Sequence, residues 1–182
     1  MPFIKTEFEG LLIFEPQVFE DDRGFFFESY SERLFRQNNI PAVFIQDNQS
    51  FSRYGVIRGL HFQREPQAQS KLVRVLLGQV LDVVVDIRKY SPTYGKSLSI
   101  ELSSDNKKQL FIPKGFAHGF SVLSQTADVM YKCDAFYHKE SEAGIIFNDP
   151  YLAIDWQVPA DQQIISSKDL QLPGFSECMK NF

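Results

Sequence analysis

Apolar residues along this chain recur with a period of two, in short runs cut by turn residues, which is the pattern of strands rather than helices. The clearest case lies between residues 71 and 88, where two apolar runs flank Gly78-Gln79 and predict a hairpin. In the second run Leu81, Val83, Val85 and Ile87 share one face, and Val80, Asp82, Val84, Asp86 and Arg88 share the other. One face is expected to pack on a core while the other is polar or lines a cavity. Residues 3 to 27 read as short strands broken by turns, with a turn at Asp21-Asp22-Arg23-Gly24 and a strand from Phe25 to Tyr30. Ser29 and Glu32 fit a capping box, and Leu34-Phe35 supply the apolar side of a short helix ending at Asn38-Asn39. After Pro41, Val43 to Asn48 returns to strand character.

Further strands are predicted over 97–102, 110–112, 116–123 and 127–133, the last with Ala127, Val129, Tyr131 and Cys133 on one face. From Tyr137 onward the periodicity fades, leaving a helical turn or two between Asp161 and Asp169. Strands this regular, with almost no helix, predict an all-β sandwich or barrel. No repeat, low-complexity tract or linker divides the chain, so one domain over residues 1–182 is the simplest organisation.

Composition narrows the function. The aromatic content of 14%, with 18 phenylalanines, suits a β-rich interior. A net charge of −4 argues against nucleic-acid binding, so any phosphate site must be local. Cys133 and Cys178 have no metal-type spacing and suggest no disulfide framework. The first ten residues lack a basic region followed by a long apolar core, so neither a secretory signal nor a membrane span is expected, and the cytoplasm is the default compartment.

Candidate chemistry concentrates in Tyr54-Gly55-Val56-Ile57-Arg58-Gly59-Leu60-His61-Phe62-Gln63. A histidine exchanges protons near neutral pH, and an arginine holds anionic or oxygen-rich groups in a planar fork. In an unbroken strand, side chains three apart point to opposite faces. Arg58 and His61 would share a cavity only if the strand is distorted between them, and Gly59 is the residue type that marks a bulge. The plain alternative is a hydrogen-bonded core histidine. Nucleotide motifs fail: Gly95-Lys96-Ser97 resembles the end of a phosphate-binding loop, but Tyr90 stands where its first glycine is required. No Gly-x-Gly-x-x-Gly lies between a strand and a helix. A metal site would need His61 and His118 gathered with carboxylates by the fold.

Six segments in order carry a resemblance: Asp22 to Glu28, Gln46-Asp47-Asn48, Gly55 to Gln63, Lys71 to Val75, Ile112 to Phe120, and Tyr131-Lys132-Cys133. Together they resemble the dTDP-4-dehydrorhamnose 3,5-epimerase family over nearly the whole chain. The resemblance implies a cupin-type jelly roll without cofactor or catalytic metal, usually a homodimer. It implies conversion of dTDP-4-dehydro-6-deoxy-D-glucose, a dTDP-4-keto-6-deoxy sugar nucleotide, to dTDP-4-dehydro-L-rhamnose in dTDP-L-rhamnose synthesis. By position, His61 matches the catalytic base, Asp169 the carboxylate that orients it, Tyr131 the acid on the other face of the sugar, and Lys71 the cation near the keto oxygen. Arg58 and His118 match residues lining the sugar and phosphate region. Arg23, Glu28, Gln46, Asn48, Glu142 and Lys168 match nucleotide or substrate contacts.

The residue types fit that chemistry. A ketone at carbon 4 acidifies the hydrogens on carbons 3 and 5, so a base near the working pH can remove one and leave a flat enolate. Reprotonation from the opposite side inverts the centre, which calls for one proton acceptor and one proton donor on two faces, roles an imidazole and a phenol would serve, and for a cation at the oxyanion. Singly, each residue has a bland reading: Arg23 as a solvated turn charge, Tyr131 as a core aromatic, Lys71 as a strand end, Asp169 as a helix cap. Two other functions stand beside the first. One is a single-centre epimerase or 3,4-ketoisomerase acting on a related sugar nucleotide, for which Phe62 and Asp134-Ala135-Phe136 leave room. The other is a non-catalytic or metal-binding cupin.

Overall fold

The computed structural model describes residues 2–40 and 42–180. In chain order the strands are β1 (Phe3–Lys5), β2 (Leu12–Phe14), β3 (Val18–Asp21), β4 (Gly24–Phe27), β5 (Gln46–Arg53), β6 (Val56–Gln63) and β7 (Lys71–Leu77). There follow β8 (Gln79–Asp86), β9 (Ser97–Ser103), β10 (Gln109–Ile112), β11 (Phe116–Val122), β12 (Thr126–Cys133), β13 (Glu142–Gly144) and β14 (Ile164–Ile165). The helices are α1 (Glu32–Gln37) and α2 (Phe175–Lys180). One six-stranded sheet has the order β1-β2-β10-β7-β12-β5; the other runs β13-β6-β11-β8-β9, with β14 paired to β6. β3 and β4 form a separate two-stranded hairpin.

The two large sheets share a core. Val73 and Val75 of β7, Val129 of β12 and Leu110 of β10 meet Val80 and Val84 of β8 and Phe120 of β11. Each strand gives alternate side chains to this interior, as a pleated strand must. The hairpin expected at Gly78 is not formed. β7 pairs with β10 and β12, whereas β8 pairs with β9 and β11, so Gly78 (φ +79°) carries the chain from one sheet to the other. The apolar pattern identifies both strands and the turn, but buried strands offer several equally apolar partners, and register with distant strands decides among them. β8 is covered on both sides. Leu81, Val83 and Val85 pack under Ile145, Phe147, Trp156 and Phe175 of the C-terminal segment, where periodicity fades. On its other face, Asp82 and Asp86 are buried and hydrogen-bonded.

Other boundaries move. Ser31, not Ser29, precedes α1, without a side-chain cap; Glu32 is the first helical residue and pairs with Arg36 at 2.6 Å. Phe35 roots this helix in a cluster with Phe14, Ile40, Leu72 and Phe111. β4 stops at Phe27 and β5 starts only at Gln46, so Ser29 and Val43 lie in connecting segments. Pro41, read as the break before a strand, lies outside the described residues. Between Asp161 and Asp169 the chain forms β14, flanked by single 3-10 turns at Ala160–Gln162 and Asp169–Gln171. Among the described residues no helix is long and apolar enough to cross a membrane.

Candidate active site

β6 forms one wall of the site, and its distortion is what the Arg58-Gly59-Leu60-His61 spacing calls for. Opposite it on β11, His118 pairs with His61 and Phe120 with Arg58, so two residues of β6 oppose the single Gly119. That extra residue is a β-bulge. It turns Arg58 and His61 into the same cavity. Gly59 (φ +125°) abuts Gly119, and a Cβ built on Gly59 would lie 2.5 Å from the Gly119 Cα. Only glycine fits such an approach in that backbone conformation.

The cavity, about 530 Å³, lies between the sheets and is lined by Arg58, His61, Lys71, His118, Tyr131, Lys168 and Asp169, with Val56, Ile57 and Phe120 as apolar wall. β14 runs parallel to β6, pairing Ile164 with Val56 and Ile165 with Ile57, and so delivers the following turn to His61. There Asp169 Oδ1 lies 2.8 Å from His61 Nε2, its Oδ2 accepts from the Gly59 amide at 3.3 Å, and its own amide donates to Ser166 Oγ at 3.0 Å. Burial opposes ionisation of Asp169, but the His61 contact and these hydrogen bonds outweigh it and hold the carboxyl below its usual range.

Tyr131 and Lys71 stand on the facing sheet, on β12 and β7. Burial raises the Tyr131 pKa, which keeps the phenol a proton donor at neutral pH. The Lys71 ammonium sits 5.8 Å from the Tyr131 ring centre. Desolvation lowers its pKa against the opposing pull of Cys133, Asp82 and Glu142. His118 Nε2 lies 3.0 and 2.9 Å from the two carboxylate oxygens of buried Asp82. Asp82 was not among the candidate residues; an acid inside an apolar strand was the available signal. Both histidines thus engage one carboxylate through Nε2, and among the described residues no three His, Cys, Asp or Glu side chains gather as a metal site.

A smaller cavity of about 160 Å³ shares His61, Lys71 and Tyr131 with the first and adds Gln46, Asn48, Tyr137 and Glu142. Gln46 Nε2 donates to Asn48 Oδ1 at 3.0 Å. Glu142 Oε2 accepts from Tyr137 Oη at 2.8 Å and from Lys168 Nζ at 2.6 Å. Burial works against the Glu142 carboxylate, yet these two donors bring its pKa below normal. The fold therefore gathers ten of the twelve candidate residues around two cavities that share His61, Lys71 and Tyr131 in their walls. Arg23 and Glu28 lie elsewhere: Arg23 is exposed at the β3–β4 turn, bonded to Asp21, and Glu28 lines a separate groove with Phe14, Phe19, Phe26 and Leu34.

The chain as a whole resembles known proteins. The family model for dTDP-4-dehydrorhamnose 3,5-epimerase matches residues 5–177. The dTDP-4-dehydrorhamnose 3,5-epimerase of Escherichia coli K12 is 51% identical, over 99% of this chain and 97% of the relative. The crystal structure of the Elizabethkingia anophelis NUHP1 enzyme of that name superposes with a TM-score of 0.93 at 50% identity, covering 99% of this chain and 98% of the other. A dTDP-6-deoxy-D-glucose-3,5-epimerase from Legionella pneumophila Philadelphia 1, in complex with dTDP-4-keto-L-rhamnose, does so with 0.91 at 48% identity, covering 96% and 92%. The jelly roll is the cupin-like fold of these epimerases. The chain belongs to the dTDP-4-dehydrorhamnose 3,5-epimerase family.

Proposed function

We propose that this chain is a dTDP-4-dehydrorhamnose 3,5-epimerase, one catalytic domain over residues 1–182, acting without cofactor on a dTDP-4-keto-6-deoxy sugar. The observation that carries the reading is that His61, backed by Asp169, and Tyr131 project from facing sheets into one cavity. His61 removes the proton from carbon 3 or 5 of the sugar. Electrons move onto the carbon-4 oxygen, where the Lys71 ammonium stabilises the enolate. Tyr131 returns a proton to the opposite face, and the centre inverts. Asp169 holds the imidazole and stabilises its protonated form, the role of a buried carboxylate behind a catalytic histidine. No hydride is exchanged, so the chemistry needs only acid, base and a preorganised cation.

The test is solvent exchange. In deuterated water the product gains deuterium at carbons 3 and 5, and His61→Ala abolishes both. Label at one carbon only selects a single-centre epimerase, and binding without turnover ends the enzymatic reading.

The same reading takes the enzyme to be a cytoplasmic homodimer. Arg23 and Glu28 match substrate contacts yet sit outside their own cavity, on or beside a hairpin whose Phe19, Phe25 and Phe26 are exposed. A second copy can receive that hairpin, cover its phenylalanines and gain the missing arginine. Mixing inactive His61→Ala with inactive Arg23→Ala chains then restores about a quarter of wild-type activity, since each heterodimer holds one intact site. No recovery, or a monomer in sedimentation, refutes the arrangement.

A further inference from the structure

The inner face of β5 carries Gln46, Asn48, Ser50 and Ser52 at alternate positions, opposite Cys133, Tyr131, Val129 and Ala127 of β12. Gln46 and Asn48 belong to the smaller cavity. Ser52 lines neither cavity; it is 4% exposed, and its Oγ accepts a hydrogen bond from Arg58 Nε at 3.0 Å. That bond spans the two sheets, because β5 is an edge strand of one and β6 belongs to the other. Among the described residues no carboxylate lies within ion-pairing distance of Arg58, so Ser52 is the side chain that fixes its guanidinium.

A guanidinium offers two bidentate edges, Nε with one Nη, or both Nη atoms. Occupying Nε leaves the Nη1/Nη2 end as the edge available to a ligand. We propose that Ser52 is a positioning residue: it commits Arg58 to end-on recognition of an oxygen-rich, non-reacting group of the substrate. The proposal rests on the sugar-nucleotide reading of this site. It explains a buried hydroxyl at this point of β5, and it makes lysine a poor replacement for Arg58, because an ammonium has no second edge to anchor.

The experiment pairs isosteric substitutions with a mutant cycle, measured on the dTDP-4-keto-6-deoxy sugar. Ser52→Val and Ser52→Thr add nearly the same bulk, but only threonine keeps the hydroxyl. KM rises about tenfold for Ser52→Val, the scale of one hydrogen bond to a charged group, with kcat little changed, and Ser52→Thr recovers most of the loss. In an Arg58→Ala background, Ser52→Val has no further effect, since nothing remains to be positioned. A Ser52→Val effect that persists undiminished in that background, or equal losses for valine and threonine, overturns the proposal. If Arg58→Ala leaves KM unchanged, Arg58 holds no substrate and the proposal fails while His61-dependent turnover stands. Absence of turnover in the wild-type protein instead fails the functional reading itself.

Discussion

Asp169→Asn removes a charge while keeping the shape of the site. In the native protein the carboxylate meets His61 Nε2 at 2.8 Å, with 6% of its side chain exposed against 30% for His61. Two unit charges about 4 Å apart are worth about 4 kcal/mol at an effective dielectric constant near 20. His61 reaches solvent, so roughly half of that, about 2 kcal/mol, is the stabilisation of the imidazolium that the proposed mechanism forms as the sugar loses its proton. That corresponds to a fall in kcat of about 30-fold. An asparagine also has one acceptor oxygen where Asp169 uses two, for His61 and for the Gly59 amide. One of those contacts is lost, which makes 30-fold a lower figure. The assay is initial turnover of the 4-keto sugar nucleotide, followed by deuterium uptake at carbons 3 and 5 by proton NMR, with thermal melting as the check on folding. A folded Asp169→Asn protein with kcat within about threefold of wild type would show that the carboxylate does not support the base, and the coupling argued from the 2.8 Å contact would be wrong.

Other perturbations separate the parts of the machine. Tyr131→Phe leaves the base intact, so the substrate still exchanges its carbon-bound protons with deuterated water while inverted product falls at least about 100-fold; equal loss of exchange and inversion counts against separate acid and base. Lys71→Met removes the cation that the proposed mechanism sets beside the enolate oxygen and lowers kcat by about 100-fold or more, seen in single-turnover rates; unchanged rates would move the oxyanion contact elsewhere. Asp86→Asn tests stability alone. Burial by itself would raise the Asp86 pKa, but hydrogen bonds from Arg88, Ser91 and Thr93 prevail and bring it down to about 2. With the folded pKa below the unfolded one, its contribution, about 2–3 kcal/mol, is present above about pH 4 and is lost as pH falls toward 2. Urea melts of wild type and Asp86→Asn therefore differ at pH 7 and converge near pH 2; a constant gap contradicts the linkage. Gly59→Ala puts a Cβ against Gly119 in a left-handed backbone position. It lowers stability by about 2 kcal/mol or more, and a melting temperature equal to wild type would deny the bulge its tight packing.

Much of this was open to reading in the sequence because it follows from local periodicity. Alternating apolar residues set β8, β9, β11 and β12 close to their observed limits, since burying one face of a strand depends only on its own period. Family motifs pointed to His61, Tyr131 and Lys71, and Gly59 signalled the bulge that brings Arg58 and His61 into one cavity. What the chain could not declare locally were its long-range partners. The turn at Gly78 looks like a hairpin whether the next strand folds back beside β7 or crosses to the other sheet, and only competition among buried, equally apolar strands decides it. Only the family resemblance joined Asp169 to His61: their approach across 108 positions depends on β14 adding to β6, and two residues leave too weak a periodicity to read. The Asp82–His118 pair and the Ser52–Arg58 bond are likewise products of packing. Sequence determined which residues could do chemistry and which segments would be strands; the tertiary structure decided which of them meet, because strand pairing is settled by the burial of the whole molecule rather than by any one segment.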